Sequence, residues 1–457
     1  MKTWNTFYFE NFSFHTDSNE AVFCYSFDRE EFFEEKIIFP RDFEIRKDID
    51  TDILDTLLFQ VHLALGMSYY KLCPTKQLVI GNGKIDDVQK KFWEKFYLHG
   101  LGEFFITQDI DPSNLISFTS SGETFYSKKN ISVCDKSLLP WGGGKDSIVS
   151  SILLKNHDFS PYVFGKIDTI KKNTLELLGK KPLNITRQLS PKLFELNAQG
   201  YPNGHVPITG MIACISFVAA YLYNYKNIIL SNEHSADEPN VNWKGIDINH
   251  QYSKSFEFEK DLKEYAQKYI TQDIQYFSLL RGMHEYTIAQ IFSSQASKYF
   301  STFSSCNKNF TITSDKKHLG NWCGKCEKCC FVYALFSAFL DPKEMEKIFG
   351  KNLFYDSDLL VTFSALIGHG SHKPFECVGT YEETIYALQK ALSKYSGNLP
   401  FVLQELKEVI QKKYQDMGGE NLGEKLGKIH DDDIIPPDMK KSVPILSSHY
   451  GRSEKLP

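Results

Sequence analysis

The segment from Trp141 to Ser147, which reads WGGGKDS, constrains the fold of this chain more than any other. It follows a short apolar run at 137–140 and precedes a stretch at 147–155 whose apolar residues recur at helical spacing, so it joins a strand to a helix. Glycine lets backbone N–H groups approach an oxyanion closely, and the start of a helix adds the positive end of the helix dipole. Together with the charge of Lys145, the segment predicts an anion-binding loop.

The spacing of the glycines separates this loop from the two commonest phosphate-binding loops. A Walker loop requires GxxxxGKS or GxxxxGKT and a dinucleotide loop requires GxGxxG, and neither string occurs here. The segment instead resembles the SGGxDS pyrophosphate loop of ATP pyrophosphatases. Enzymes of that group split ATP into AMP and pyrophosphate, usually by attaching AMP to an oxygen of the substrate.

Strand and helix signals alternate between residues 131 and 305, which predicts a doubly wound α/β domain with a parallel sheet. The strand candidates are 137–140, 162–167 and 227–230, and the helix candidates are 147–155, 207–223 and 284–300. Ligands of such sheets bind beyond the carboxyl ends of the strands, so the glycine loop and segment 231–236 should line one crevice. With the loop resemblance, the expected fold is of the ATP-pyrophosphatase type, which is adenine nucleotide α-hydrolase-like.

The rest of the chain predicts three further regions. Residues 1–130 contain aromatic-rich segments and a helical stretch at 52–71, and they predict an N-terminal α+β domain suited to gripping part of a bulky substrate. Residues 306–415 hold a cysteine cluster with helices near 331–349 and 381–413, so a Cys-rich helical region is expected. Residues 416–457 are polar and predict a loosely attached tail.

Composition limits the classes of binding partner and the cellular compartment expected for this protein. A net charge of -5 over 457 residues argues against a broad nucleic-acid-binding surface and favours a small-molecule substrate. The first residues lack a basic region followed by an apolar run, and the longest nearly apolar stretch, 211–223, is too short to span a bilayer. Ten cysteines, five of them between Cys306 and Cys330, indicate a metal centre in a reducing compartment. We therefore expect a cytoplasmic protein without a membrane partner.

The cysteine cluster has the spacing of a metal site. Cys323, Cys326 and Cys329 form CxxCxxC, and Cys306 lies upstream. Four thiolates can close a tetrahedral shell around Zn²⁺, and a shell filled by sulfur is structural. The alternative is an iron–sulfur cluster, since CxxCxxC also occurs in ferredoxin-type ligation. Zinc is favoured because no Cys-Pro follows and no redox chemistry is otherwise indicated.

Several segments between residues 203 and 285 concentrate His, Asn, Glu and Lys without amphipathic period, which is typical of wet loops or lined pockets. They are 203–207, 231–236, 249–259 and 278–285. His205 precedes an apolar helix, where a side chain binds an anion or caps the helix. Segment 373–379 is a later polar patch, and its Cys377 is interpreted as a thiol of the core.

Together these motifs resemble the ATP-dependent UDP-N-acetylmuramoyl-L-alanyl-L-glutamate epimerases of some bacteria. The similarity covers roughly residues 135 to 380, in order. The matching segments are WGGGKDS at 141–147, NGHVPIT at 203–209, SNEHSA at 231–236, NHQYSKS at 249–255, YFSLLR at 276–281, SCN at 305–307, WCGKCEKC at 322–329 and KPFECVG at 373–379.

The resemblance implies inversion of the terminal L-glutamate of a UDP-linked muramoyl dipeptide to D-glutamate, coupled to cleavage of ATP to AMP and pyrophosphate with Mg²⁺. A hydrogen α to a carboxylate is barely acidic, because its removal builds a second negative charge beside the first. An acyl-adenylate removes that first charge. Each tenfold gain in acidity lowers the barrier by about 1.4 kcal/mol.

The resemblance also suggests roles for single residues. Gly142, Gly143, Gly144 and Ser147 would hold pyrophosphate oxygens, with Lys145 as counter-charge. Asp146 would position Mg²⁺ or cap the helix, and Glu233 is a second metal or base candidate. The proton-transfer candidates are His205, His250 and Glu285. Lys254 and Arg281 are expected to clamp phosphates or carboxylates of the substrate.

Three other functions are compatible with parts of the pattern. Cyano-deazaguanine synthases combine a similar loop with four cysteines, but they are much shorter and are not expected to contain NHQYSKS or YFSLLR. A tRNA sulfur-insertion enzyme of the pyrophosphatase type would need a basic surface or an RNA-binding module. A nucleotide-sensing module would bind ATP without releasing AMP.

Overall fold

The computed structural model describes residues 2–310, 320–370, 373–431 and 433–443. Within these ranges the largest sheet has ten strands in the order β12-β9-β6-β7-β8-β3-β2-β1-β4-β5, and β10 and β11 form a separate hairpin. The strands are β1 (Thr6–His15), β2 (Glu20–Phe27), β3 (Glu31–Ile38), β4 (Gln77–Ile80), β5 (Ser117–Ser120), β6 (Cys134–Pro140), β7 (Phe159–Phe164), β8 (Leu183–Gln188), β9 (Tyr225–Leu230), β10 (Val241–Trp243), β11 (Ile246–Ile248) and β12 (Gln275–Ser278).

The α-helices are concentrated after the N-terminal strands. They are α1 (Thr51–Leu65), α2 (Met67–Tyr70), α3 (Asp87–Gly100), α4 (Gly102–Thr107), α5 (Lys145–Leu153), α6 (Thr169–Leu178), α7 (Pro191–Ala198), α8 (Ile208–Leu222), α9 (Phe256–Tyr269), α10 (Glu285–Gln295), α11 (Glu327–Ser337), α12 (Pro342–Phe349), α13 (Leu360–Leu366), α14 (Tyr381–Leu392), α15 (Phe401–Asp416), α16 (Glu420–Gly427) and α17 (Pro437–Ser442). None of the helices in the described ranges is both long and apolar enough to cross a membrane.

The sheet is mostly parallel, which confirms the α/β class. Strands β12, β9, β6, β7 and β8 are parallel neighbours, whereas β3 joins β8 in antiparallel pairing. Because β6, β9 and β12 are adjacent and parallel, the loops that follow them emerge at one edge of the sheet. This edge brings together the glycine loop, segment 231–236 and segment 279–285, and it is the edge at which ligands of such sheets bind.

The N-terminal strands extend the same sheet. Residues 36–38 of β3 pair with residues 186–188 of β8, and the buried Glu35 carboxylate accepts a hydrogen bond of 2.5 Å from Arg187 Nε. One apolar core runs from Phe7 and Tyr25 of these strands to Leu138 of β6. The N-terminal region thus shares a sheet and a core with the segment that carries the glycine loop. The boundary at residue 130 stays a prediction.

A second apolar core lies under the C-terminal helices and includes residues after Asp416. Leu422 and Leu426 of α16 and Val443 are almost completely buried in it. The expectation of a loosely attached tail is therefore wrong as far as Val443, because the polar composition of this stretch conceals an amphipathic helix. Residues 444–457, the rest of the predicted tail, lie outside the described residues.

Three predicted helices differ from the observed ones at proline or at a turn. The helix expected at 284–300 ends at Gln295 and is followed by a short 3₁₀ turn. The stretch 331–349 divides into α11 and α12, and α12 begins at Pro342. The stretch 381–413 divides into α14 and α15, with Pro400 at the cap of α15. Proline has no N–H to donate and restricts the residue before it, so it favours the start of a helix over its interior.

Candidate active site

The glycine loop takes a conformation that requires glycine at its centre. Gly143 has φ +76°, and a Cβ on it would lie 3.0 Å from Thr174 Oγ1. Gly144 caps α5 and offers no side chain to its first N–H groups. The backbone nitrogen of Lys145 lies 3.5 Å from Ser305 Oγ, and Ser147 Oγ donates to the Gly144 carbonyl at 3.1 Å. The start of α5 therefore has the polarity and geometry of an anion site.

Lys145 points into the protein between two carboxylates. Its fully buried ammonium group contacts Asp146 and Glu285, and Glu285 in turn lies 3.4 Å from Lys328 Nζ. Burial alone would lower the pKa of Lys145, but the charges of Asp146 and Glu285 outweigh it and raise that pKa. Lys145 therefore remains a cation at the start of α5.

Glu233 adds a buried carboxylate to the buried Glu285 and the partly exposed Asp146 at the same edge. Burial, together with the negative charges of Glu285 and Asp146, raises the pKa of Glu233 to about 7. The pKa of Asp146 is lowered, since Lys145 and Lys328 outweigh its burial. Carboxylates of one site repel one another, and a divalent cation with oxygen ligands relieves that repulsion. Asp146 and Glu233 offer oxygen atoms, the kind of ligand that Mg²⁺ prefers.

Arg281 holds two site segments by their backbones. Its side chain is fully buried, and it donates to the Glu259 carboxylate at 2.7 and 3.0 Å. It also donates to the carbonyl oxygens of Glu233 at 2.8 Å and Lys254 at 2.5 Å. The sequence suggested Arg281 as a substrate clamp, but the structure places its guanidinium against protein groups on several sides.

A second group of titratable side chains contains His205, His250 and Glu103 of α4. Glu103 accepts a hydrogen bond from His250 Nδ1, and His205 Nδ1 lies 3.6 Å from the same carboxylate oxygen. The two imidazole rings are 4.6 Å apart. Burial lowers the pKa of His205 to about 4, so this ring is neutral at pH 7. Burial opposes protonation of His250 as well, but Cys377 and Glu103 raise its pKa to about 10.

Cys377 lies within this charged group, so its interpretation as a core thiol is wrong. The thiol is half-buried, its Sγ lies 3.4 Å from Lys254 Nζ, and it is hydrogen-bonded to His250. Burial raises the pKa of a thiol, but the charges of Lys254 and His250 lower the pKa of Cys377 to about 6. At neutral pH the group is a thiolate beside two cations.

Sequence patterns missed three members of these groups. Glu103 lies in the N-terminal region, where no motif is visible, and only the fold brings it to His250. Lys328 stands inside the cysteine motif, and the spacing of that motif predicts only the metal ligands. Glu376, whose pKa is raised to about 7 by burial and by Cys377, precedes the thiol in KPFECVG. The polar character of that segment was the available signal for Glu376 and Cys377.

The four predicted metal ligands come together. The sulfur atoms of Cys306, Cys323, Cys326 and Cys329 all lie within 4.8 Å of one another. Three of the separations are 3.5 Å for Cys326–Cys329, 3.6 Å for Cys323–Cys329 and 3.9 Å for Cys306–Cys326. A tetrahedral zinc site with bonds of about 2.3 Å requires about 3.8 Å between sulfurs. The geometry therefore fits a tetrahedral metal ion with sulfur ligands.

Three histidines connect the C-terminal segment to the active-site helix. His284 caps α10 directly before Glu285, and its Nε2 lies 3.1 Å from Nε2 of His430. The His430 ring stacks on His234 with centroids 4.1 Å apart. The backbone nitrogen of His430 also donates to the Gly282 carbonyl at 2.8 Å. Residues beyond 416 thus support the position of Glu285.

The carboxyl edge of this mostly parallel sheet holds a glycine loop, buried carboxylates and lysines. This arrangement is that of α/β proteins with a small-molecule site at the same edge. Comparison with family models gives the particular family. Residues 1–279 match the MurL N-terminal domain and residues 302–420 match the MurL C-terminal domain. The chain belongs to the MurL family, which confirms the resemblance noted in the sequence.

Three curated relatives carry the same name, UDP-N-acetyl-alpha-D-muramoyl-L-alanyl-L-glutamate epimerase. The relative from Xanthomonas oryzae pv. oryzae is 32% identical over 85% of this chain and 86% of its own length. Those from a Micromonospora species and from Salinispora tropica are also 32% identical, over 85% and 87% of this chain and 87% of their own lengths. No solved structure matches the chain.

Proposed function

We propose that this chain is an ATP-dependent epimerase of peptidoglycan precursor synthesis. Its substrate is UDP-N-acetylmuramoyl-L-alanyl-L-glutamate, and its product carries D-glutamate at the end of the peptide. The observation that carries the proposal is the similarity to three epimerases of that name over most of their lengths. The site at the carboxyl edge of the sheet supplies groups suited to this chemistry.

The first step of the proposed reaction is attack of the glutamate carboxylate on the α-phosphorus of ATP, which releases pyrophosphate and leaves a carboxyl-adenylate. The N–H groups at the start of α5, with Gly142, Gly143, Gly144 and Ser147, hold the pyrophosphate. Lys145 supplies a positive charge that does not titrate near neutral pH, since Asp146 and Glu285 raise its pKa. Support for an ATP-pyrophosphatase type of fold comes from this loop between β6 and α5.

The expected metals have separate places. Asp146 and Glu233 would hold Mg²⁺, which when bound neutralises phosphate charge. The four cysteines would hold Zn²⁺ as a structural ion, because a complete shell of sulfur leaves no position for substrate. Ser304 and Ser305 directly precede Cys306, and they contact the glycine loop through Gly143 and Lys145. The cysteine centre therefore supports the glycine loop through these two serines.

The second step is removal of the α-proton from the adenylate, followed by return of a proton to the opposite face. The site contains one neutral imidazole, His205, one imidazolium, His250, and carboxylates, including Glu285, that pair with lysines. The candidate site thus contains both proton donors and proton acceptors, which removal and return of the α-proton require. Water then cleaves the adenylate and releases AMP.

One incubation tests the proposal against its rivals. Purified protein is mixed with ATP, Mg²⁺ and the muramoyl dipeptide in deuterated water, and AMP, D-glutamate and α-carbon deuterium are measured together. The proposal expects all three to appear with the dipeptide and none without ATP. A nitrile, a sulfur-containing product, or ATP binding without AMP would each refute it in favour of a deazaguanine-synthase-like enzyme, a sulfur-insertion enzyme or a nucleotide sensor.

A further inference from the structure

We infer that Cys377 is one of the two groups that exchange a proton with the α-carbon of glutamate. In one direction its thiolate removes the α-proton from the carboxyl-adenylate, and in the other direction its thiol returns a proton to the same face. This inference rests on the epimerase function proposed above, because it names a group for the second step of that reaction.

The first support is the arrangement of side chains around the sulfur. Cys377 is hydrogen-bonded to His250, and the ring of His250 is oriented by Glu103, which contacts its Nδ1. A thiol, an imidazole and a carboxylate in this order form the arrangement that activates sulfur in proteins. Lys254 Nζ, 3.4 Å from the sulfur, adds a second positive charge. His250 and Lys254 thus meet at one thiol, and Glu103, from a distant part of the sequence, supports His250.

The second support is the position of Cys377 relative to the glycine loop. Lys254 is partly buried and responds to both groups: burial lowers its pKa, but Cys377, Glu233 and Asp146 raise it in return. The charge of Lys254 therefore acts both on the thiol, which it contacts, and on the carboxylates proposed to hold Mg²⁺. The α-carbon is bonded directly to the adenylated carboxyl carbon, so the base must lie close to the adenylation site. Cys377 itself is only half-buried.

The third support is that the thiolate is the populated form at neutral pH. Burial would keep the sulfur protonated, but Lys254 and His250 lower its pKa to about 6. The charge of Lys328 of α11 also lowers the pKa of Cys377. Glu376, the residue before the thiol, bears a carboxyl group whose own pKa is raised by burial and by Cys377. A base whose pKa lies just below the working pH is both available and strong enough to accept a proton from an activated carbon.

The protons balance over one turnover. The thiolate takes the α-proton, so the C–H bond breaks, its electron pair enters the planar enolate, and a thiol forms. A second acid in the site gives a proton to the opposite face, so the inverted C–H bond forms and the acid becomes a base. Exchange of both groups with solvent restores the starting state. No oxidant or reductant is needed.

The decisive variant is Cys377→Ser in the full-length chain. Serine keeps the size and hydrogen bonding of the side chain, but at neutral pH it is a far weaker base than a thiolate. We expect ATP-dependent AMP formation within about fivefold of the wild type, and a fall of at least about 100-fold in the rate of epimerisation, the lower end of what one proton-transfer group contributes. Cys134→Ser is the matched control, since Cys134 is exposed at the start of β6.

The two substrate epimers, with L-glutamate and with D-glutamate, give a readout that a merely structural role would not move. With one proton-transfer group removed, deuterium should still enter the α-carbon from the epimer handled by the other group. Exchange from the epimer handled by Cys377 should be lost. Equal loss from both epimers, loss of AMP formation along with epimerisation, or wild-type epimerisation in Cys377→Ser would each overturn the inference.

Chemical labelling of the wild type keeps the test independent of folding of the variant. Iodoacetamide should alkylate Cys377 at a rate that rises through about pH 6, as followed by mass spectrometry of the peptide containing it, and bound substrate should slow the reaction. Full epimerase activity after complete alkylation at Cys377 would refute the role. Wild-type protein that forms neither AMP nor D-glutamate from this dipeptide would instead refute the proposed function itself.

Discussion

Lys328 Nζ lies 3.4 Å from Oε1 of Glu285, and this contact joins the cysteine centre to the candidate active site. Lys328 is in the first turn of α11, between the predicted metal ligands Cys326 and Cys329. Glu285 begins α10 and also contacts Lys145 of the glycine loop. A metal ion held by the four cysteines would fix the start of α11 and so would set the position of Lys328, a charge in the candidate active site that is about 180 residues along the chain from Lys145.

Loss of the metal should therefore affect both stability and activity. Cys329→Ser is expected to abolish binding of one zinc ion per chain, to lower the Tm and to reduce AMP formation by at least about tenfold, the low end of the effect of changing a structural metal's surroundings. Elemental analysis, thermal melts and AMP assays measure the three effects, and Cys134→Ser is the control. Iron with acid-labile sulfide in the wild type would support the iron–sulfur alternative, and a metal-free wild type with full activity would contradict a structural metal.

The role of Arg281 can be separated from that of a substrate clamp. Arg281→Met should lower the free energy of unfolding by about 3–5 kcal/mol, because Glu259 would remain as a buried charge without its partner. Arg281→Lys keeps the charge but loses the planar fork that reaches the carbonyls of Glu233 and Lys254, so kcat should fall while KM for the dipeptide changes little. Denaturant melts and steady-state kinetics provide the measurements. A variant of unchanged stability with a KM raised tenfold or more would establish the clamp instead.

Lys145→Ala should nearly abolish AMP formation. The substitution removes the cation at the start of α5 and leaves Asp146 and Glu285 facing each other, so we expect AMP formation to fall by about 100- to 1000-fold, as for loss of one preorganised charge-stabilising donor. Lys155→Ala is a matched control, because Lys155 is exposed just beyond the other end of α5. AMP release is followed at saturating ATP after folding is checked by circular dichroism. Full turnover in Lys145→Ala would refute the role of the loop.

Local spacing predicted the parts of the site that are continuous in sequence. The glycine loop and the four cysteines were visible because their ligands or donors are fixed by a few neighbouring residues. The alternation of strands and helices also indicated which loops meet at the edge of the sheet. Glu103 and Lys328 were not predictable in this way, because each has its role through contact with a side chain more than 40 residues away along the chain. The sequence places Arg281 near the site, but only the structure shows that its partners are the Glu259 carboxylate and two backbone carbonyls.

The charged surroundings of Cys377 are likewise not visible in the local sequence. Free cysteine is among the most buried residue types, so the sequence favours a core thiol at this position. Its state depends instead on Lys254 and His250, which arrive from another loop. The division of 381–413 into two helices had a visible signal in Pro400, whereas the burial of α16 required knowledge of the surface on which it packs.

The pH dependence of epimerisation should report the Glu103–His250–Cys377 group. Proton removal requires the thiolate, so the rate of α-deuterium incorporation should rise as pH increases through about 6 and then level off. Glu103→Gln removes the negative charge that favours protonated His250, so the pKa of His250 should fall. A less charged imidazole stabilises the thiolate less, so the pKa of Cys377 should rise and the limb of the profile should move to higher pH. Lys254 and Lys328 still face the sulfur in this variant, and they should limit the shift to about one to two pH units.

AMP formation, which does not use the thiolate, is the internal control. A limb at the same pH in Glu103→Gln, or a limb that moves to lower pH, would show that this chain of charges does not set the protonation of the catalytic base.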